Sequence, residues 1–462
     1  MQKGNYATRR RDAIAHSWAL PRGAVLLPAG LPQAIAGTDQ YHNFHAHPEH
    51  AYLAGTAAPG SVLVFDPGDG WTLFVPFPGL EERVWTGDGP SPEDLAHLSG
   101  IDRILSRERL QSWLESRRAE PLAVLANHDL LAHPAAYGIE AWAALELDPD
   151  EALAAVLSER IAEARRAKDP GELDLMRKAA GASARGHLLA MRVARPGQTE
   201  RELQVEIEAA FFRAGGERTA YGSIVGSGRN GAILHVAPGL RALGPDELVL
   251  IDAGAECRGY ASDVTRTLPT GLTYAGLQRD LYSLVLAVQE EAIAAVRPGV
   301  EYKDLHMQAC RSIARGLVDL DILRGPVESL VERDAHALFF PHGLGHMLGL
   351  STHDAGGCLA GRSPSDRFGL KWLRADLPLE PKYVVTIEPG IYFIPALLTD
   401  PSRRETFADA VNWPRVDSLL NFGGIRIEDD VLVTESGAEL LSGAIPRSMD
   451  DIEALREEGA QL

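Results

Sequence analysis

Leu248-Val249-Leu250-Ile251-Asp252-Ala253-Gly254 is echoed further along the chain by Val384-Val385-Thr386-Ile387-Glu388-Pro389-Gly390. Each is an apolar run ending in a carboxylate and a glycine turn, the pattern of a buried strand that runs into a loop. Each is followed by a second β-type stretch with an acid of its own. That acid is Asp263 in the first case and Glu428, within Gly424-Ile425-Arg426-Ile427-Glu428-Asp429, in the second. Two such strand pairs facing one another gather four carboxylates.

Parity supports the grouping. With Arg258-Gly259 as a two-residue hairpin turn, Cys257 sits opposite Tyr260 and Gly254 opposite Asp263. Asp252 lies two residues from Gly254, so it shares a face with Asp263, at a diagonal spacing of roughly 7–8 Å. An unpaired charge at the end of an apolar run is costly. Such acids are neutralised by protons, by arginines or by metal. Arg266 or Arg426 accounts for one of them; four at corresponding strand ends favour a metal.

Histidines strengthen the case. Pro341-His342-Gly343-Leu344-Gly345-His346 runs on to His353. Two histidines four apart would suit a zinc-binding helix, but the glutamate of that motif is missing and Gly343 and Gly345 disfavour a helix. A glycine-rich turn aiming imidazoles into a pocket fits better. His235 follows another glycine-rich stretch, 226–231, which lacks the Gly-Lys-Ser/Thr ending of a phosphate loop.

At 462 residues the chain is long for one core, and two domains are expected. Strand-like runs at 23–27 and 60–65, the latter paired with 71–75 across a Gly/Asp/Pro turn, and a helix over 151–167 describe a mixed α/β N-terminal domain over 1–167. Asp169-Pro170-Gly171-Glu172 is a helix start of the capping-box kind, and it opens a second domain over 168–462. There the pattern predicts helices over 170–193, 199–214, 275–296 and 302–318, and strands over 247–252, 260–267, 383–388 and 424–434. The class is α+β.

Lys plus Arg number 45 against 64 Asp plus Glu, a net charge of −19, which argues against nucleic acid and other polyanions as partners. No apolar run is long enough to span a bilayer. Arg9, Arg10 and Arg11 lead into no apolar stretch, so a secretory signal is not expected. Cys257, Cys310 and Cys358 are far apart and read as buried thiols in a reducing, cytoplasmic setting. The four histidines among residues 42–50 read as a surface loop.

Taken together, Ile251-Asp252-Ala253-Gly254, Ser262-Asp263-Val264-Thr265-Arg266-Thr267, His342-Gly343-Leu344-Gly345-His346, Thr386-Ile387-Glu388-Pro389-Gly390-Ile391-Tyr392 and Gly424-Ile425-Arg426-Ile427-Glu428-Asp429 resemble the prolidase and aminopeptidase P family. The resemblance implies a pita-bread catalytic domain holding two divalent ions, usually Mn2+, sometimes Co2+ or Zn2+. It assigns Asp252 and Asp263 to one ion, His346 and Glu388 to the other, and Asp263 and Glu428 to both. Four carboxylates and one imidazole suit a hard, high-coordination ion. A hydroxide between the ions would cleave the bond before proline, with Glu388 carrying the proton. His235 and His353 would stabilise the oxyanion or leaving group, and His342 would meet the proline side. Tyr221 and Thr265 would orient the ligands from behind, and Arg426 would join the substrate-facing set.

The segment 356–380 favours a dipeptidase. Arg374, within Phe368-Gly369-Leu370-Lys371-Trp372-Leu373-Arg374, matches a prolidase arginine that grips the carboxylate of a C-terminal proline. An Xaa-Pro aminopeptidase acting on longer peptides is the alternative, and side activity on organophosphates is compatible with either. The creatinase-like members lack the ligands that are all present here. The family also implies small peptide substrates and a homodimer.

Overall fold

The computed structural model describes residues 6–118, 120–125 and 128–461. The chain forms two compact units, Met1–Arg165 and Arg166–Leu462. The first is built on a five-stranded mixed sheet in the order Arg103–Ser106, Gly70–Val75, Val62–Asp66, Ala24–Pro28, Leu122–Val124. The expected hairpin is present, with Val62 opposite Phe74 and Asp66 opposite Gly70. Ala24–Pro28 and Val62–Asp66 are buried throughout, which is why they read as continuous apolar runs.

Residues 42–50 depart from the surface-loop expectation. Pro48 starts a helix, Pro48–Ala54, and that helix turns His50 into the core. Its Nδ1 lies 2.9 Å from the carbonyl of Leu27 and its Nε2 3.3 Å from the Ser61 hydroxyl.

In the second unit the capping boxes at Asp169 and Thr199 start Pro170–Val193 and Glu200–Arg213. Leu277–Ala295 and Tyr302–Asp319 pack against the same core as the strands, around Phe211, Tyr282, Tyr302, Phe339 and Ile387. Among the described residues no helix is long and apolar enough to cross a membrane. Cys257 and Cys310 are buried, but Cys358 is exposed. It lies in an irregular, glycine-rich stretch outside any helix or strand.

The two quasi-repeated strand pairs carry the site. Leu248–Asp252 pairs with Thr265–Pro269, placing Asp252 opposite Thr265, and Ala255–Cys257 pairs with Tyr260–Ala261, placing Cys257 opposite Tyr260. Both segments keep one register, the expected one. Arg258 and Gly259 have φ of 51° and 88°, as a two-residue hairpin turn of this hand requires. Between the segments the ladder lapses at 253–254 and 262–264. The second pair lapses in the same way. Ile387 faces Asp429 and Gly390 faces Arg426, leaving Glu388 across from Glu428 in the gap. All four acids therefore stand where a ladder breaks and the backbone bends.

Candidate metal centre

Asp263, His346 and Glu428 each offer a ligand atom within 4.8 Å of the others, all three buried, a spacing at which one cation can be held. Among the described residues this is the one such cluster of three or more. His346 Nδ1 lies 3.0 Å from the Met347 carbonyl, which fixes the proton there. Nε2 is left to face Asp263 at 3.4 Å and Glu388 at 3.7 Å. Burial alone would lower the pKa of His346; Asp263 and Glu388 overcome it and raise it.

Asp252 is held differently. Arg426 reaches it at 2.5 Å and the Tyr221 hydroxyl donates to it at 2.6 Å. Arg426 also donates to the Thr265 hydroxyl at 3.0 Å, and Thr265 in turn donates to Glu428 at 2.7 Å. Tyr221 and Thr265 thus each fix one carboxylate oxygen. The salt-bridge network expected as the alternative to metal is half realised. Arg426 joins Asp252, whereas Arg266 goes to Asp429 at 2.8 Å and to the backbone carbonyls of Thr265, Glu428, Ile445 and Pro446.

Four carboxylates therefore stand with one arginine. Burial drives Glu388 up to about 7, against the pull of His346 and Arg426. Glu428 is pushed well above the carboxylate range by burial and by Asp263 and Glu388. Burial also raises Asp252, with Arg426 opposing. Buried acids that the chain's own cations do not balance are what divalent ions neutralise. The donor set of carboxylates and one correctly tautomeric imidazole fits such ions.

The other predicted residues surround this cluster. His342 has both ring nitrogens engaged, Nδ1 2.8 Å from the Gly343 carbonyl and Nε2 2.9 Å from the Tyr392 hydroxyl. Burial and the Arg426 charge lower its pKa to about 3. His353 is exposed and packs edge-on to His346, ring centroids 4.4 Å apart. Although the residue as a whole is exposed, partial burial of its ring against His346, with the charges of His346 and Arg374, brings its pKa down to about 4. His235 is exposed on the loop after 226–231, close enough that its charge acts on both His342 and His353. Arg374 is exposed beside His353 and, among the described residues, has no ion-pair partner.

Sequence reasoning missed Tyr392, which joins His342 to Arg426 at 2.9 and 2.7 Å. Its signal was its place two residues beyond Gly390. It also missed Asp430, which accepts from the Ser262 hydroxyl and the Asp263 amide at 2.8 and 3.0 Å and so fixes the bend that presents Asp263. The buried pair Lys168–Asp354, at 3.1 Å beside His353, was not expected either.

The sequence model of metallopeptidase family M24 matches residues 174–435, and that of the aminopeptidase P N-terminal domain matches residues 6–123. A probable Xaa-Pro aminopeptidase of Aspergillus fumigatus is 33% identical over 441 residues, covering 94% of this chain and 92% of that protein. Aminopeptidase PepP of Pseudomonas aeruginosa superposes with a TM-score of 0.82 at 31% identity, over 99% of this chain and 98% of that one. A zinc-substituted Escherichia coli aminopeptidase P in complex with product gives 0.81 at 30% identity, over 99% of each. With both of its units matched and the acids of both strand breaks inside the matched span, the chain belongs to metallopeptidase family M24 and carries an N-terminal domain of the aminopeptidase P type.

Proposed function

We propose that this protein is an Xaa-Pro aminopeptidase, releasing the N-terminal residue from peptides whose second residue is proline. The buried convergence of Asp263, His346 and Glu428 at facing strand breaks carries the hydrolase reading. Likeness along nearly the whole chain to proteins named as Xaa-Pro aminopeptidases supports the choice of bond, and it reverses the preference for a dipeptidase drawn from Arg374.

Asp252, Asp263, His346, Glu388 and Glu428 would hold two divalent cations, with Mn2+ the ion best suited to so oxygen-rich a set. When bound, the cations supply Lewis acidity to water and to the scissile carbonyl. Glu388 takes a proton from the attacking water as it adds to the carbonyl carbon, then gives it to the proline nitrogen as the C–N bond breaks. The products are a free amino acid and a peptide beginning with proline. His353 and His235 donate N–H to the oxygen that gains charge. His342, whose ring nitrogens are taken by Gly343 and Tyr392, offers the proline ring its carbon edge rather than a hydrogen bond. We further place the enzyme in the cytoplasm as a homodimer, with the domain boundary at 167/168; the boundary falls close to the division of the compact units.

One observation favours a dipeptidase instead. Arg374 is exposed and near enough for its charge to act on His353, and a guanidinium there would suit a free carboxylate. Steady-state kinetics on Ala-Pro and on Ala-Pro-Phe with Mn2+-loaded protein separates the two. The aminopeptidase reading expects kcat/KM at least tenfold higher for the tripeptide, with Arg374→Ala changing it by less than about threefold. Cleavage of the dipeptide alone, abolished by Arg374→Ala, would overturn it in favour of a dipeptidase.

A further inference from the structure

Glu200 is the first residue of the helix Glu200–Arg213, a position where an acid ordinarily faces water and the helix dipole. Here it is 1% exposed. The capping role belongs to its neighbours Thr199 and Glu202, so the cap does not explain why Glu200 turns inward.

Its carboxylate is filled from one loop. Oε1 accepts from the Ser227 amide at 2.8 Å, the Ser227 hydroxyl at 2.9 Å and the Asn230 side-chain amide at 2.9 Å. Oε2 accepts from the Gly239 amide at 3.3 Å. One oxygen therefore holds the beginning of the loop and the other its end. The backbone repeats the grip, with the Arg201 amide donating to Gly239 and the Glu200 amide to Arg241, each at 3.0 Å. Arg241 donates to the Ser227 hydroxyl at 2.6 Å, so a cation stands one bond away from the buried acid. Four donors converging on one side chain need the lone pairs of a carboxylate; an amide would turn an N–H₂ toward one of them.

The loop is also tightly folded. A Cβ on Gly226 would lie 2.9 Å from Asn230 O and Val236 Cγ1, and one on Gly423 would lie 2.0 Å from Gly228 O. The part left facing solvent carries Ile233, His235 and Leu240. We propose that Glu200 is a positioning residue for His235, stapling the loop 227–239 at both ends so that the imidazole stands with His342 and His353 at the cluster. The proposal rests on the peptidase reading only for its kinetic readout.

The test is a double-mutant cycle on full-length, Mn2+-loaded protein with an Xaa-Pro-Yaa tripeptide. Glu200→Ala lowers kcat about 100-fold, the cost of a misplaced catalytic group, and Glu200→Gln about tenfold, while the number of Mn2+ ions bound stays unchanged. Adding either change to His235→Ala lowers kcat by no more than about twofold further. An equal loss in both backgrounds, or a loss of bound metal, would overturn the proposal. If Glu200→Ala does not fold, Glu200→Gln carries the cycle. Hydrogen exchange gives a second reading that needs no turnover. Amides across 227–239 exchange at least tenfold faster in Glu200→Gln, and wild-type protection there would also overturn the proposal. Wild-type protein that cleaves no Xaa-Pro peptide contradicts the peptidase reading, and the exchange result still decides the role of Glu200.

Discussion

Arg266 and Arg426 sit on facing strands, yet they do different things. Arg426 balances Asp252, one of the four acids, whereas Arg266 ties Asp429 and four backbone carbonyls together. Both Arg266 and Asp429 are fully buried, so Arg266→Met leaves Asp429 with only the more distant Arg447, at 3.4 Å, as a cation and leaves four backbone carbonyls without their donor. It should cost about 3–5 kcal/mol in urea unfolding; a loss under about 1 kcal/mol would contradict this picture. His50 tests burial of another kind. Burial holds its pKa at about 4, against about 6.5 in the unfolded chain. Between those values the unfolded chain binds the proton and the native one does not. The stability this site contributes is complete above pH 6.5 and lost as the pH falls toward 4. In His50→Gln, stability should fall less steeply over that window, by up to about 1.4 kcal/mol per pH unit; parallel curves would contradict the assignment. Asp252 and Glu388 were legible as acids ending apolar runs. Which arginine turns toward which acid was not, because Arg426 and Asp252 meet only once distant strands are packed.

The bent strand pair is the element that makes the site. Its register could be read from the Arg258-Gly259 turn, and the helix starts from their capping boxes, because these are local signals carried by neighbouring residues. The strand ends at Asp252 and Glu388 were legible from the glycine turn after each, but the matching lapses at 262–264 and 427–428 were not, since 260–267 and 424–434 each read as one continuous strand. Close approach holds the first break open to function: a Cβ on Gly254 would lie 1.8 Å from the Ser262 carbonyl oxygen and 3.3 Å from the ring of Tyr221. Gly254→Ala must therefore push the strands apart where Asp252 and Asp263 are presented. We expect it to weaken Mn2+ binding at least tenfold by calorimetry and to lower the melting temperature. Wild-type affinity in a stable variant would mean that the break does not govern the site. The start of the helix Pro48–Ala54 was read as loop, since His50 and the histidines before it mask a short helical turn that only the core beneath it reveals.

Across the whole molecule, the fold class and the two-unit plan followed from patterning and from five ordered motifs, and the family matches cover both units. The bond cleaved was less legible, because a single arginine, Arg374, suggested a dipeptidase while likeness along nearly the whole chain favours an aminopeptidase. The net charge of −19 is partly this site, whose acids outnumber the arginine beside them. Its central property is that cations complete it. Metal-free protein titrated with Mn2+, with bound metal and release of alanine from Ala-Pro-Phe followed in the same samples, tests that most directly. Two ions per chain, activity that rises with occupancy, and loss of both on chelation are expected. Full turnover in chelator with no metal bound, or a protein that binds no Mn2+ at all, would contradict it.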